Sequence, residues 1–433
     1  MILARKPIFW AVFFGHFTVD LFNGSVAVLV TFLAGYLLDL SNTQIGFAIS
    51  AYQLASAVSQ PVFGWRADRH GGRWYGAGGV AWVVLLLVIT LIIATTTRSY
   101  PLMLIALILG AFGSAAFHPV GAMHAADSDQ TRAKSNLSLF FFAGQLGGGL
   151  GPAITGMLLD RAATHNYIFT SAFPALSGAL VERGSIAPML AFALFAVPSV
   201  ILMGLIIPSA QAFVAARERT AASTKKKEHR PLTRLAIGTL ILVVVLRSFV
   251  NPGSVSFLPR LFQLRGWTAA EYGLITSAYW IGGGFMGILF GVLADRFGSR
   301  LLIAASMFLS APAVLGLSLF EGGIGFLFAL LVGAFSGGSH SLIVAMAHQI
   351  LPSGKGLASG ASLGLIFGTG AIGVLVIGGV ADSFSLPTAF QMIAVSTLLA
   401  GIVALLLPED RPGQATPAVD TGEQVVGALS SGD

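Results

Sequence analysis

Gly64-Trp65-Arg66-Ala67-Asp68-Arg69-His70-Gly71-Gly72-Arg73 is answered further down the chain by Gly291-Val292-Leu293-Ala294-Asp295-Arg296-Phe297-Gly298-Ser299-Arg300. Gly, Asp, Arg, Gly and Arg recur in the same register. Ser50-Ala51-Tyr52 recurs as Ser277-Ala278-Tyr279 at the same offset. Working outward, Asn23-Gly24-Ser25-Val26 is echoed by Pro252-Gly253-Ser254-Val255, and Gly110-Ala111-Phe112 by Gly333-Ala334-Phe335. The chain is therefore one unit written twice in the same direction.

The material between these markers is apolar. Of 433 residues 55% are hydrophobic and 10% charged, with a mean hydropathy of +0.84; soluble domains carry roughly 25% charged residues. The 53 glycines suit helices that pack closely in lipid. Stretches of roughly 20 apolar residues fall at about 8–37, 44–64, 75–96, 101–123, 136–158 and 188–207, then at 235–258, 272–293, 301–320, 324–347, 357–381 and 387–407. Each must be helical, because hydrocarbon offers backbone groups no partner. The fold class is all-α integral membrane: twelve transmembrane helices in two parallel six-helix repeats around a central cavity. The expected organisation is a bundle over 1–208, a linker over 209–231, a second bundle over 232–407 and a disordered tail over 408–433. The 160–187 loop is expected to hold a short surface helix.

Chain chemistry removes several function classes. The absence of cysteine excludes disulfide scaffolds, thiolate redox centres and cysteine hydrolases. The net charge of +6 is not a nucleic-acid patch, because the basic residues sit between apolar spans, as orientation determinants do. Arg5 and Lys6 precede an apolar run too long for a signal-peptide core. Most Lys and Arg fall on one side if the N-terminus is inside, leaving Arg98, Arg161, Arg183, Arg260 and Arg265 outside. Both termini are therefore expected in the cytoplasm of an inner-membrane protein.

Two charges sit deep in spans. Asp20 and Arg247 are each about 18 Å into the first span of their half, at about 1.5 Å per residue. A mid-membrane charge costs about 2.5–3.5 kcal/mol on insertion scales, and such residues usually face a bundle interior and mark an ion or substrate path. His16, Asp20 and Asn23 are spaced i, i+4, i+7 on one face, as are Arg247, Asn251 and Ser254. Asn23-Gly24 and Asn251-Pro252-Gly253 are expected to interrupt both helices. Asp20, with His16 one turn away, reads as the proton-coupling pair, and Arg247 as a fork of donors for an anionic group. An ion pair between Asp20 and Arg247, locking the halves together, is the plainer alternative. Asn23, Asn251, His118, His340, Tyr52, Gln53, Gln145, Tyr279 and Trp280 complete the candidate substrate site. No metal site and no cofactor are expected: His118 and His124 are six apart, off one helical face. No nucleophile with a paired base is visible, so an enzyme is not expected.

The repeated loop resembles that of the major facilitator superfamily, which implies that Gly64, Asp68, Arg69, Arg73, Asp295, Arg296 and Arg300 form a cytoplasmic gate. Gly147-Gly148-Gly149-Leu150-Gly151-Pro152-Ala153-Ile154-Thr155-Gly156 resembles the exporter motif of that superfamily, with Thr155 where a glycine is common. Gly15-His16-Phe17, Asp20, Tyr52-Gln53-Leu54, Gln60-Pro61 and Phe117-His118-Pro119 resemble its fosmidomycin-resistance branch, with Val120 in place of the glutamate that follows the His-Pro pair there. The branch implies a proton-driven exporter of a small, anionic compound. The expected partners are that compound, protons and the bilayer, with no nucleic acid and a monomeric chain. The alternatives are an uptake carrier for an organic anion and, from another class, a non-transporting membrane sensor.

Overall fold

The protein is described by a computed structural model covering residues 6–129, 133–160, 187–212, 234–347 and 355–408. The helices are α1 (Pro7–Leu33), α2 (Asn42–His70), α3 (Arg73–Thr97), α4 (Tyr100–Asp127) and α5 (Ala133–Leu159). Next is α6, in two pieces (Ala187–Phe192 and Val197–Ile206) joined by the 3₁₀ turn Ala193–Ala196. The second half has α7 (Arg234–Ser248, the π-turn Phe249–Gly253, then Ser254–Leu264), α8 (Ala269–Phe297) and α9 (Ser299–Leu319). It ends with α10 (Gly325–Val332, the π-turn Gly333–Gly337, then His340–Ala347), α11 (Lys355–Ser383) and α12 (Leu386–Ala404). Among the described residues ten helical stretches are long and apolar enough to cross a bilayer. The other two are α2, diluted by polar residues over its length, and α10, whose apolar stretch Gly325–Gly337 is short. The expected surface helix in 160–187, and most of the expected linker and tail, lie outside the described residues.

The duplication is legible in local chemistry. Ser41 caps α2 and pairs with Gln44 in a capping box, and Thr268 does the same for α8 with Glu271. Each helix ends on a glycine with positive φ, Gly71 at 74° and Gly298 at 80°, where a Cβ would be strained. The Gly-x-x-x-Asp-Arg-x-Gly loops thus reverse the chain by one backbone device used twice.

Two long seams join the halves, α2 along α11 and α8 along α5. The two-fold relation exchanges them, and their contacts repeat. A Cβ on Gly46 would meet the Val374 carbonyl at 3.0 Å and Gly378 Cα at 3.3 Å; on Gly273 it would meet the Pro152 carbonyl at 2.5 Å and Gly156 Cα at 3.0 Å. Ser50 donates to the Ala371 carbonyl at 2.7 Å, and its equivalent Ser277 accepts from the Ala153 N–H at 2.9 Å. Asp382 accepts from the N–H groups of Asn42 and Thr43 at 2.9 and 2.7 Å, and Asp160 accepts from the Ala270 N–H at 3.3 Å. Each half therefore sets one carboxylate on the free amides that open a helix of the other half, where the helix dipole favours negative charge. These bonds gather at the end away from the Gly64–Arg73 and Gly291–Arg300 loops.

One expected feature is corrected. α1 runs unbroken through Asn23-Gly24. Gly24 is there for packing: a Cβ would meet the Gly148 carbonyl of α5 at 2.7 Å. Only the second-half copy, which carries Pro252 without an N–H, departs from α-helical geometry, as the π-turn Phe249–Gly253.

Candidate functional site

Asp20 is the centre of a polar cluster in the first half. His16 Nε2 lies 3.1 Å from its Oδ2 and His118 Nε2 3.2 Å from its Oδ1. Asn23 Nδ2 donates to the same Oδ1 at 3.1 Å. The i, i+4 spacing brings His16 to the carboxylate, and α4 delivers His118 from across the bundle. Asn23 also donates to Ser114 Oγ at 3.0 Å and accepts from the Tyr52 hydroxyl at 2.5 Å. Both rings are oriented from behind: His16 Nδ1 is 2.6 Å from the Phe140 carbonyl and His118 Nδ1 is 2.8 Å from the Ser114 carbonyl. The Phe140 ring stacks on His16 at 3.9 Å. The histidine side chains are 3% and 8% exposed and Asp20 is 23% exposed, so the carboxylate is the most open part of the cluster.

Gly144 of α5 forms the wall. A Cβ there would come within 2.5 Å of both Asp20 Oδ2 and His16 Nε2. The glycines after it split between two jobs. Gly147 and Gly151 lie against the α1 backbone at Phe17 and Leu21, while Gly148 and Gly149 face Trp280 and Ile281 of α8 in the other half. The glycine motif is thus the surface on which α5 touches both bundles.

Arg247 is the centre of the second cluster. It is 3% exposed, donates through Nη2 to the Ser336 carbonyl at 2.7 Å, and reaches Ser339 Oγ from Nε at 3.4 Å. The carbonyl comes from the π-turn Gly333–Gly337 of α10, where the helix is widened. The Tyr279 hydroxyl donates to the Asn251 carbonyl at 3.1 Å and lies 3.2 Å from Ser336 Oγ. His340 follows Ser339 and opens the last piece of α10. Each cluster therefore takes a charge and an asparagine from the first helix of its half, a tyrosine from the second, and serine and histidine from the fourth.

The alternative, a lock between Asp20 and Arg247, is not formed: among the described residues Asp20 is bound by His16, His118 and Asn23, and Arg247 by Ser336 and Ser339. Asn251 meets Tyr279 through its backbone carbonyl, within the π-turn Phe249–Gly253. His118, read as a substrate group, belongs to the Asp20 cluster. Gln145 and Gln53 come from the first half toward the second cluster. Gln145 lies over Gly283 and Gly284, and Gln53 lies beside Gly370 and near Pro252. Trp280 packs on Gly148. His16, Asp20 and His118 present ligand atoms all within 4.8 Å of one another, a donor set able to hold protons or a metal ion. Spacing along the chain excluded a metal cluster because it could not see α1 and α4 meet.

At the loops, Arg69 lies over the Trp65 ring at 4.0 Å and Arg296 over Phe297 at 5.3 Å. Arg73 Nε donates to the Ile207 carbonyl at 2.6 Å, tying α3 to the end of α6. Gly64 is buried and Asp68 and Arg300 half-buried. Sequence reading missed Ser114, Gly144, Ser336 and Ser339. Ser114 and Ser336 carried the same signal, each standing one turn before a candidate histidine, His118 and His340.

The family model of the Major Facilitator Superfamily matches residues 12–268 and 240–428. The chain belongs to the major facilitator superfamily. Among relatives of this superfamily, it is 24% identical over 413 residues to the fosmidomycin resistance protein of Escherichia coli (strain K12), covering 93% of each chain. It is 27% identical over 383 residues to the uncharacterized MFS-type transporter YfnC of Bacillus subtilis (strain 168), covering 86% of each. Solved superfamily structures share the fold. A D-xylose–proton symporter superposes with a TM-score of 0.70 at 15% identity, over 94% of this chain and 98% of its own. A bacterial homolog of the human lysosomal transporter Spinster gives 0.71 at 15% identity, over 93% and 97%. The protein is thus a multi-pass membrane transporter and not an enzyme.

Proposed function

We propose that this transporter is a proton-coupled exporter of a small anionic compound, working by alternating access in the inner membrane with both termini in the cytoplasm. The observation that carries the reading is the separation of two opposite charges into two matching clusters, one in each half. A carboxylate flanked by two imidazoles is a proton site. A buried guanidinium held by a carbonyl and a hydroxyl, with no carboxylate on it among the described residues, retains donors for an incoming anion. Tyr279, Asn251, His340, Gln53, Gln145 and Trp280 surround that anion. Tyr52 and Asn23 carry the state of Asp20 toward the bundle surface.

Alternating access follows from the seams. With one end held by Asp160 and Asp382, rocking opens the other, where Gly64, Asp68, Arg69, Arg73, Asp295, Arg296 and Arg300 close the cytoplasmic side. Export is favoured by the likeness to a fosmidomycin resistance protein and by the glycine motif of α5. Protons entering from outside bias one state and the anion at Arg247 the other, so each ligand is felt through the equilibrium between facings. The test is transport of fosmidomycin by proteoliposomes under an imposed pH gradient. The reading predicts gradient-driven accumulation in wild type and none in Asp20→Asn; accumulation by Asp20→Asn equal to wild type overturns it.

A further inference from the structure

We propose that His16, Asp20 and His118 form a binding site for a divalent transition-metal ion, with zinc the best match, and that the bound ion inhibits transport. The site stands apart from the proton-coupled reading; only the expected inhibition rests on that reading.

The donor atoms come first. Zinc takes imidazole nitrogen at about 2.0–2.1 Å and carboxylate oxygen at about 2.0–2.2 Å, so neighbouring ligand atoms on a tetrahedral ion stand about 3.3 Å apart. His16 Nε2 is 3.1 Å from Asp20 Oδ2, His118 Nε2 is 3.2 Å from Asp20 Oδ1, and the three donors lie within 4.8 Å of one another. The two nitrogens therefore close by at most about 1.5 Å to grip the ion. Two imidazoles with one carboxylate suit zinc and its neighbours in the first transition row; magnesium and calcium prefer oxygen throughout.

A single histidine–carboxylate contact of this length is only a hydrogen bond. The second imidazole, and what stands behind each ring, make the difference. Metal-ligating histidines donate their other N–H to a carbonyl or carboxylate, which fixes the tautomer and aims the free nitrogen. His16 Nδ1 lies 2.6 Å from the Phe140 carbonyl. His118 Nδ1 lies 2.8 Å from the Ser114 carbonyl and 3.3 Å from Ser114 Oγ. The hydroxyl can donate or accept, so it suits either tautomer of His118. With an ion on Nε2, Nδ1 carries the hydrogen and the carbonyl accepts it. Asn23 Nδ2 steadies the carboxylate, donating to Oδ1 at 3.1 Å.

The flank of the site is open in the sense a fourth ligand needs. Gly144 has no side chain there, and a Cβ would come within 2.5 Å of both Asp20 Oδ2 and His16 Nε2. Three protein ligands beside such a flank match a zinc ion that keeps an exchangeable water. The carboxylate cancels one of the two charges the ion brings into the bundle. An ion on this site ties α1 to α4 and occupies the carboxylate that coupling uses.

The test uses purified full-length protein and the metal alone. Equilibrium dialysis against zinc chloride at neutral pH should load one zinc per wild-type chain, and His118→Gln and Asp20→Asn should each weaken that binding more than about tenfold. No binding to wild type, or equal binding by all three proteins, overturns the site. Cobalt(II) reads the ligands in wild type without any variant. Intense visible bands of a tetrahedral ion, lost on adding zinc, support the site; the pale spectrum of the hydrated ion contradicts it. In proteoliposomes zinc should stop pH-driven fosmidomycin transport and a chelator should restore it. Zinc held by these ligands with transport unchanged would overturn the inhibition and count against the proton-coupled reading, while the site stands. Absence of zinc binding together with loss of pH-driven transport in Asp20→Asn would sink the metal site and leave that reading intact.

Discussion

A carboxylate at mid-membrane is tolerable only if its surroundings repay the roughly 2.5–3.5 kcal/mol of insertion, and Asp20 is repaid by three donors on two oxygens. Each charged hydrogen bond is worth about 1.5–3 kcal/mol. Arg247→Ala removes two such bonds and the anion's anchor, so fosmidomycin transport should fall about tenfold or more. Arg247→Lys should rescue little, because an ammonium cannot hold the Ser336 carbonyl, the Ser339 hydroxyl and an anion in one plane. Equal losses for fosmidomycin and for a neutral transported compound would contradict the anion role. Gly144→Ala places a methyl where Asp20 Oδ2 and His16 Nε2 meet. It should abolish pH-driven transport while the protein still folds and inserts, judged by a monodisperse elution profile. Undiminished coupling would show that the wall at Gly144 is not needed.

Among elements, the sequence was informative wherever a residue type carried its own meaning. Asp20, His16 and Asn23 share a helical face, and the structure joins them by hydrogen bonds. The repeated Ser50 and Ser277 mark the two seams. What stayed hidden was pairing between distant helices. His118 looked like a substrate group because nothing in one dimension places α4 beside α1. Asn23-Gly24 looked like a helix break because glycine signals both interruption and close approach, and only the position of Gly148 separates them. The carboxylates Asp160 and Asp382 looked like loop residues, yet they bind the opening amides of α8 and α2 across the seams. Because the chain has no cysteine, this can be tested with a single reporter thiol. Asp382→Asn should increase labelling of Ser50→Cys by an impermeant maleimide added from the side of those helix ends. The rate should rise a few-fold, since the lost contact is worth about 1 kcal/mol. An unchanged rate would mean that the carboxylates do not hold this end shut.

For the whole molecule, duplication explains the division of labour. One six-helix unit, copied, gives two polar clusters at equivalent places, one built on an acid and the other on a base, which the proposed function assigns to a proton and an anion. The two seams share glycine pairs, serine bonds and carboxylate caps, the matched contact about which the proposed rocking would turn. The measurement that reaches this most directly is fosmidomycin accumulation in proteoliposomes driven by a pH gradient alone, with wild type and Asp20→Asn reconstituted at equal density. Wild type should concentrate the compound and lose it when the gradient is collapsed, while Asp20→Asn should only equilibrate it. Gradient-driven concentration by Asp20→Asn at the wild-type level would place proton coupling elsewhere in the protein.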